Sequence, residues 1–594
     1  MGWNISLQPI ENPDEPRYAC AAREMVRSNR ASDWIVPVFN GAPRLQKPIL
    51  IYWVLAGAGR VGEALGLDLQ TSFRLVPLGA GWLAILATYL LGRKLWSPRA
   101  GLLSGLLLLT TFYFHETTRE ILIDPLLTAL LAWAWYFFAC AIQRIEGSRA
   151  RPPWGPLAGF YLCLGLACLA KGPALVAIFA VAPMAAYLVW ERKRFLRCAP
   201  AASREDAGAP GGSGRASPRR LALLHRTGLW WGLPMALGLG FSWGYLLWDT
   251  GHGEATKTIL WREIFQRALG QVDHNDGIRA FPFLFYLLDL PGRFLPWALF
   301  FPLAIGWSWQ ARRGLSTNGK LLLCAILIPS VLMGLVGSKR SLYFLPLYPF
   351  LCLWLARAWD GCLDTQAPRP RGVRYGMLIL AGIGVVCALG AVAFLALQLL
   401  GWNGRVAPCS AAETVTAGAL ALGLCAGAWL TLRDLYQARG QHLGGDRPLW
   451  QASLQVLLMT AVAGLAYESV VRPGILRRED HPGFYASIRD AVGGRPLVWL
   501  GGKCSEAVWY LEQEVPNARR LENLGALFFS KKDSLLLVRG REFRREEVLR
   551  TAVRELKQFE YKGERYHLVE PDPARVPASL FFQGSAASAP GDAD

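Results

Sequence analysis

The chain has 594 residues, 53% of them hydrophobic, with 24 tryptophans and a formal net charge of +19, and its mean hydropathy is +0.25. This profile excludes an ordinary soluble protein and fits a polytopic membrane protein, in which the surplus of Arg and Lys marks cytoplasmic loops rather than a nucleic-acid partner. Twelve cysteines define neither a disulfide framework nor a zinc site: most sit in apolar stretches, as Cys163, Cys168, Cys387 and Cys425 do, and no CxxC or Cys/His spacing occurs.

Residues 1–70 read as a polar loop followed by an amphipathic or interfacial stretch, ILIYWVLAGAGRVGEAL, which glycine interrupts too often for a span. Residues 1–20 lack the apolar centre of a signal peptide. The loop carries DEPRYACAAREM from Asp14 to Met25 and DWIVPVFNGAPRLQKP from Asp33 to Pro48. The carboxylates Asp14 and Glu15, with Arg17, Arg23 and Lys47 nearby, suit an acceptor that must be oriented or deprotonated while a phosphate leaving group is neutralised. Gly57-x-Gly59-x-x-Gly62 imitates a dinucleotide fingerprint, but no acidic residue follows about twenty positions on and the βαβ context is missing. Small residues that ease helix packing are the better reading.

Apolar stretches near the length of about 20 residues needed to cross a bilayer fall at 72–91, 100–115, 121–141, 156–170, 173–190, 228–248, 293–309, 319–337, 341–357, 375–400, 411–432 and 451–471. If the N-terminal loop is periplasmic, every basic connection (Arg93 to Arg99, Arg144 to Arg151, Arg192 to Arg226, Arg312 and Arg313, Arg369 to Arg374, Arg433 to Arg447) lands on the cytoplasmic side. The outer side then receives the N-terminal motifs, His115 to Glu120, Lys171, the 249–292 loop, Ser338 to Ser341 and everything past about residue 472.

Several outer-face residues invite chemistry. Asp124, in LIDPLL, is an ionisable group at or just inside the end of a span, although a helix N-cap ahead of Pro125 explains it equally well. Lys171 reads as a lysine snorkelling to the headgroups at the tip of a helical hairpin. Arg262 and Arg267 lie on an amphipathic segment of the outer loop. Lys339, Arg340 and Tyr343, in GSKRSLYFLPLYP, run against the positive-inside trend and suggest a site for an anionic lipid.

The remaining organisation is a bundle over 71–472, a small α/β domain of about a hundred residues over 473–575, and a polar tail over 576–594 expected to be disordered. The domain's PLVWLGG and SLLLVRG read as short strands, and GFYASIRDAV and REFRREEVLRTAVRELKQF as helices. No internal repeat of fixed period is present.

Taken together, DEPRYACAAREM, DWIVPVFNGAPRLQKP with IYW, LIDPLL, LAKGP, WREIFQR, the Pro296 and Trp297 pair and SLYFLPLYP resemble the lipid-linked-sugar glycosyltransferases of the GT-C class. The likeness is to the bacterial branch of the protein mannosyltransferase superfamily that includes the lipid A aminoarabinose transferases. It implies a polytopic α-helical fold with a C-terminal periplasmic α/β domain, in the inner membrane, and a polyprenyl-phosphate sugar donor, with undecaprenyl phosphate as carrier. Asp14 would be the principal catalytic or acceptor-positioning acid, Asp124 a second, with Glu15 beside them. Arg17, Lys47, Arg267 and Tyr343, joined by Lys339 and Arg262, would hold the donor phosphate. Gln46 stands where the aminoarabinose branch has glutamate before Lys-Pro, which puts a bridging divalent metal in doubt. The resemblance also implies a first helix ahead of Asp14 that is not visible here, so either the true start lies upstream or later helices carry the loop across. The expected activity is inverting transfer to a lipid A-like, glycan or protein acceptor at the periplasmic face. Alternatives are a protein O-mannosyltransferase-like enzyme and a noncatalytic flippase, whose polar residues should be spread through the spans.

Overall fold

The computed structural model describes residues 2–575 except 12–13, 148–151, 193, 195–226, 255–283, 338, 364–370, 401–408, 441–446, 502–503, 519–523, 525–526, 529–532 and 573–574. The chain is a polytopic helical membrane protein with a small C-terminal sheet. Among the described residues nine helices are long and apolar enough to cross a membrane, and a pair bent by 114°, Leu284–Arg293 with Trp297–Gly314, would make a tenth. All twelve expected stretches fall on helices. Two lie outside that set: α4 (Pro98–Leu109) and the Trp- and Gly-rich Leu229–Leu247. α4 stops short of the predicted residue 115 because the Thr110 and Thr111 hydroxyls bond back to the carbonyls of Leu106 and Leu107, at 2.6 and 2.7 Å, and the chain turns into α5 (Phe112–Thr117).

The N-terminal region builds the floor of the site. α1 (Glu15–Arg27) has proline in its first turn and an Ala-rich body buried on nearly every side. A hairpin of β1 (Val38–Phe39) and β2 (Ala42–Pro43) follows, turned by Asn40 and Gly41 with φ of 53° and 76°, the Asn-Gly pairing that a tight two-residue turn favours. α2 (Leu50–Ala64) then packs between α1 and α3 (Leu69–Leu95). Two glycines of the false fingerprint permit this: a Cβ on Gly59 would lie 2.8 Å from Phe73 and 2.9 Å from Val26, and one on Gly62 would strike Ser72.

The helix α6 (Asp124–Gly147) packs on α3, and α7 (Trp154–Lys171) packs on α6. Asp124, Lys171 and the start of α3 therefore share one end of the bundle. The opposite end gathers charged helix termini, with Arg194 on Glu146 at 2.8 Å and Lys320 on Glu191 at 2.5 Å.

The C-terminal sheet has the order β4-β3-β5-β7-β6, from β3 (Leu497–Leu500), β4 (Asn517–Ala518), β5 (Leu535–Arg539), β6 (Val553–Tyr561) and β7 (Glu564–Pro571). β3 is parallel to β4 and β5, while β7 runs antiparallel to β5 and β6. Part of REFRREEVLRTAVRELKQF, expected as one helix, forms β6 instead: Val553 and Phe559 are buried and the residues between them are exposed, as suits an edge strand. One face of the sheet has a core of its own, with Val498, Leu500, Leu536, Val538 and Val569, and the other shares its core with the N-terminal region. Tyr18, Met25 and Tyr52 belong to the same apolar cluster as Tyr485, Ile488, Trp509 and Leu537.

Candidate active site

Three segments converge on Asp14. The residue immediately precedes α1, and Arg17, one turn on, places Nη1 3.5 Å from its Oδ1. From the far side of the chain both terminal nitrogens of Arg340 donate to Asp14 Oδ2 at 3.1 Å. The hairpin delivers Arg44, whose N–H is held by the Pro37 carbonyl at 2.7 Å, and Lys47 beyond it. Burial would raise the Asp14 carboxyl, but Arg340, Arg17, Lys47 and Arg44 together outweigh it and hold the group at about 2. Arg340 is raised in turn, Asp14 overcoming the opposing effect of burial.

Asp124 opens α6 and is buried. Its carboxylate receives the ammonium of Lys171, the last residue of α7, which also lies 4.8 Å from the centre of the Tyr343 ring. Gly172, at φ 87°, then reverses the chain. Arg340 and the buried Tyr18 are each within electrostatic reach of both aspartates. Asp14, Asp124, Arg17, Lys47 and Tyr343, read as site residues from sequence, are therefore brought together. Arg262 and Arg267 lie outside the described residues.

The structure reassigns three residues. Glu15 is buried and turns into the bundle, where its Oε1 accepts from Arg74 at 2.9 Å and from the Ile121 N–H at 2.7 Å. A carboxylate so engaged locks α1 to α3 rather than serving the Asp14 cluster. Lys339 donates to the carbonyls of Met333 and Gly334 at 2.6 and 2.8 Å, capping the helix Thr317–Leu335, and burial lowers its pKa to about 8. Its neighbour Arg340 is the cation that reaches Asp14. Lys171 is paired with Asp124 instead of snorkelling to the headgroups. Sequence reasoning passed over Arg44 and ranked Lys339 above Arg340; the available signal for both was proximity to Lys47 and to Tyr343 within the same short motifs.

The named groups comprise five cations, Arg17, Arg44, Lys47, Lys171 and Arg340, against the carboxylates of Asp14 and Asp124. Such an imbalance at a partly exposed surface suits an anion carrying two or three charges. Among the described residues no group of three His, Cys, Asp or Glu side chains is placed to hold a metal ion.

The fold compares closely with a known one. The crystal structure of ArnT from Cupriavidus metallidurans bound to undecaprenyl phosphate superposes with a TM-score of 0.64 at 19% identity, covering 97% of this chain and 96% of that one. The chain is ArnT-like and has the GT-C fold. Curated relatives agree: the undecaprenyl phosphate-alpha-4-amino-4-deoxy-L-arabinose arabinosyl transferase of Erwinia tasmaniensis is 27% identical over 66% of this chain. Its counterpart in Edwardsiella ictaluri is 28% identical over 76% of this chain and 71% of its own length. The Erwinia match spans 62% of that relative's length, just under two thirds. The family model for dolichyl-phosphate-mannose-protein mannosyltransferases matches residues 46–202, a stretch that contains Lys47, Asp124 and Lys171.

Proposed function

We propose that the chain is an inverting glycosyltransferase of the inner membrane. It moves a sugar from a polyprenyl-phosphate donor, with undecaprenyl phosphate as carrier, to an acceptor at the periplasmic face. The observation that carries this reading is Asp14 set among Arg340, Arg17, Lys47 and Arg44. The names of the ArnT relatives supply the donor class.

In the reaction the acceptor oxygen bonds to the anomeric carbon as the bond from that carbon to the phosphate oxygen breaks, and the phosphate departs with the electron pair. The cations stabilise that departing charge, and an aspartate beside the ring stabilises positive charge developing on the sugar. Held at about 2, Asp14 is a weak base while Arg340 grips it. A donor phosphate competing for the arginines loosens that grip and makes Asp14 more basic, so donor binding and readiness of the acid are linked. A weakly basic carboxylate supports an acceptor that is already an anion, such as a lipid A phosphate, over a serine or sugar hydroxyl.

The test is mass spectrometry of envelope lipids and proteins from cells expressing the chain or Asp14→Asn at matched levels. A sugar added to lipid A only with the unmodified chain is expected. A sugar on protein would replace the acceptor assignment, and equal modification with both chains would remove Asp14 from the chemistry.

A further inference from the structure

One run of the C-terminal domain, Val508 to Val515, grips the N-terminal region at widely spaced points. The Ile10 N–H donates to Tyr510 Oη at 2.8 Å. The Arg23 guanidinium donates to the carbonyls of Trp509 and Val508 at 2.9 and 3.1 Å and lies 4.8 Å from the centre of the Trp509 ring. Arg27 meets Glu512 at 2.9 Å. Asn40 closes a two-way bond with the Val515 backbone, donating at 3.0 Å and accepting at 2.7 Å. Trp509 also packs against Phe73 of α3, with ring centroids 6.3 Å apart.

These contacts have a directional logic. The Val508 and Trp509 carbonyls belong to the last turn of the helix Ser505–Leu511, where acceptors lack intrahelical donors and the helix dipole favours a cation. Arg23 is only 4% exposed, so its charge ties α1 to those carbonyls rather than to water. Ile10 lies four residues before Asp14 and Arg23, on α1, nine after it, so the grip brackets the site acid in sequence. Asn40 does the same for the turn that feeds Arg44 and Lys47.

We propose that the C-terminal domain is a positioning part of the site. Through Arg23 and Asn40, residues 508–515 seat α1 and the hairpin so that Asp14 meets Arg340 and the two downstream cations face the same carboxylate. Arg23 and Asn40 are positioning residues and touch no reacting group. Where the inference speaks of transfer it rests on the proposed function.

The test uses the full chain in lipid nanodiscs with Arg23→Ala, Arg23→Lys and Asn40→Gly. Asn40→Gly keeps the left-handed turn while deleting both bonds to Val515, which covers the case in which Arg23→Ala fails to fold. Arg554→Ala, on the edge strand away from the junction, is the control. Amide exchange of residues 15–27 and steady-state transfer are measured together. Asn40→Gly and Arg23→Ala are each expected to speed α1 exchange by about tenfold or more with the span 69–95 unchanged, and to lower kcat by about tenfold with KM nearly constant. Arg23→Lys falls between, and Arg554→Ala changes neither readout. Unchanged α1 exchange in both junction variants overturns the inference, and so does faster exchange with undiminished kcat. If the unmodified chain transfers no sugar, the proposed function fails, while the exchange measurement still decides whether the domain seats α1.

Discussion

Two charge clusters lie between the N-terminal region and the bundle, and they are built on opposite plans. Around Asp14 and Asp124 cations outnumber carboxylates. In the second cluster Arg74 meets Glu15, and Arg119 and Arg472 each sit 2.9 Å from Glu468, with Glu116 in electrostatic reach of both arginines. There three arginines face three glutamates, with His115 3.4 Å from Glu468, so that the opposite charges balance in number. The difference separates structure from chemistry: a balanced network pins elements together, whereas an unbalanced one leaves room for a charged ligand. Asp14 and Glu15, adjacent in sequence, fall on either side of that line.

The sharpest way to break the comparison is to neutralise one acid in each cluster. Asp14→Asn is expected to cut transfer by about 10³-fold at a stability cost of about 2 kcal/mol, the worth of its depressed pKa, read by turnover and by melting in detergent. Glu468→Gln should show the reverse, losing roughly 3–5 kcal/mol of stability as the buried Arg119 and the half-buried Arg472 are left with a neutral partner, while transfer per folded molecule persists. Equal loss of activity in both would dissolve the distinction. Next in size, Lys47→Met and Arg340→Gln should each weaken undecaprenyl phosphate binding by about 10- to 100-fold in a titration, an effect that shrinks with added salt. The smallest change is in the pH profile. Because Asp14 is depressed to about 2, its contribution to stability is complete above the ordinary carboxylate range and is lost only as pH falls towards 2. The acid limb of kcat/KM in the unmodified protein should therefore lie below about pH 4, and Arg340→Gln should move it to higher pH.

Most of the fold was legible because membrane spans announce themselves by length and apolarity, and every expected stretch lies on a helix. The site was legible in part. Asp14 and Lys47 stood out as an acid and a cation gathered in one polar loop, and Asp124 because an ionisable group at a span end is costly and therefore informative. What could not be read was direction. Glu15 and Lys339 have the same chemistry as their neighbours, and only the turn of the helix and the position of a carbonyl end decide which partner each meets. The β6 error has the same origin: nine residues of mixed charge carry a helical pattern in isolation, and the pairing with β7, absent from local sequence, overrides it.

The bonds from Arg23 to Val508 and Trp509 span 485 and 486 positions of the chain. Chains emerge from the ribosome N-terminus first, and contacts this distant in sequence form late. The spans can be inserted one after another while the helix that bears Asp14 waits for its seat. The helix that bears Asp14 is thus among the last elements to be ordered, so a chain interrupted anywhere before residue 508 is expected to populate the bilayer without an assembled Asp14 cluster.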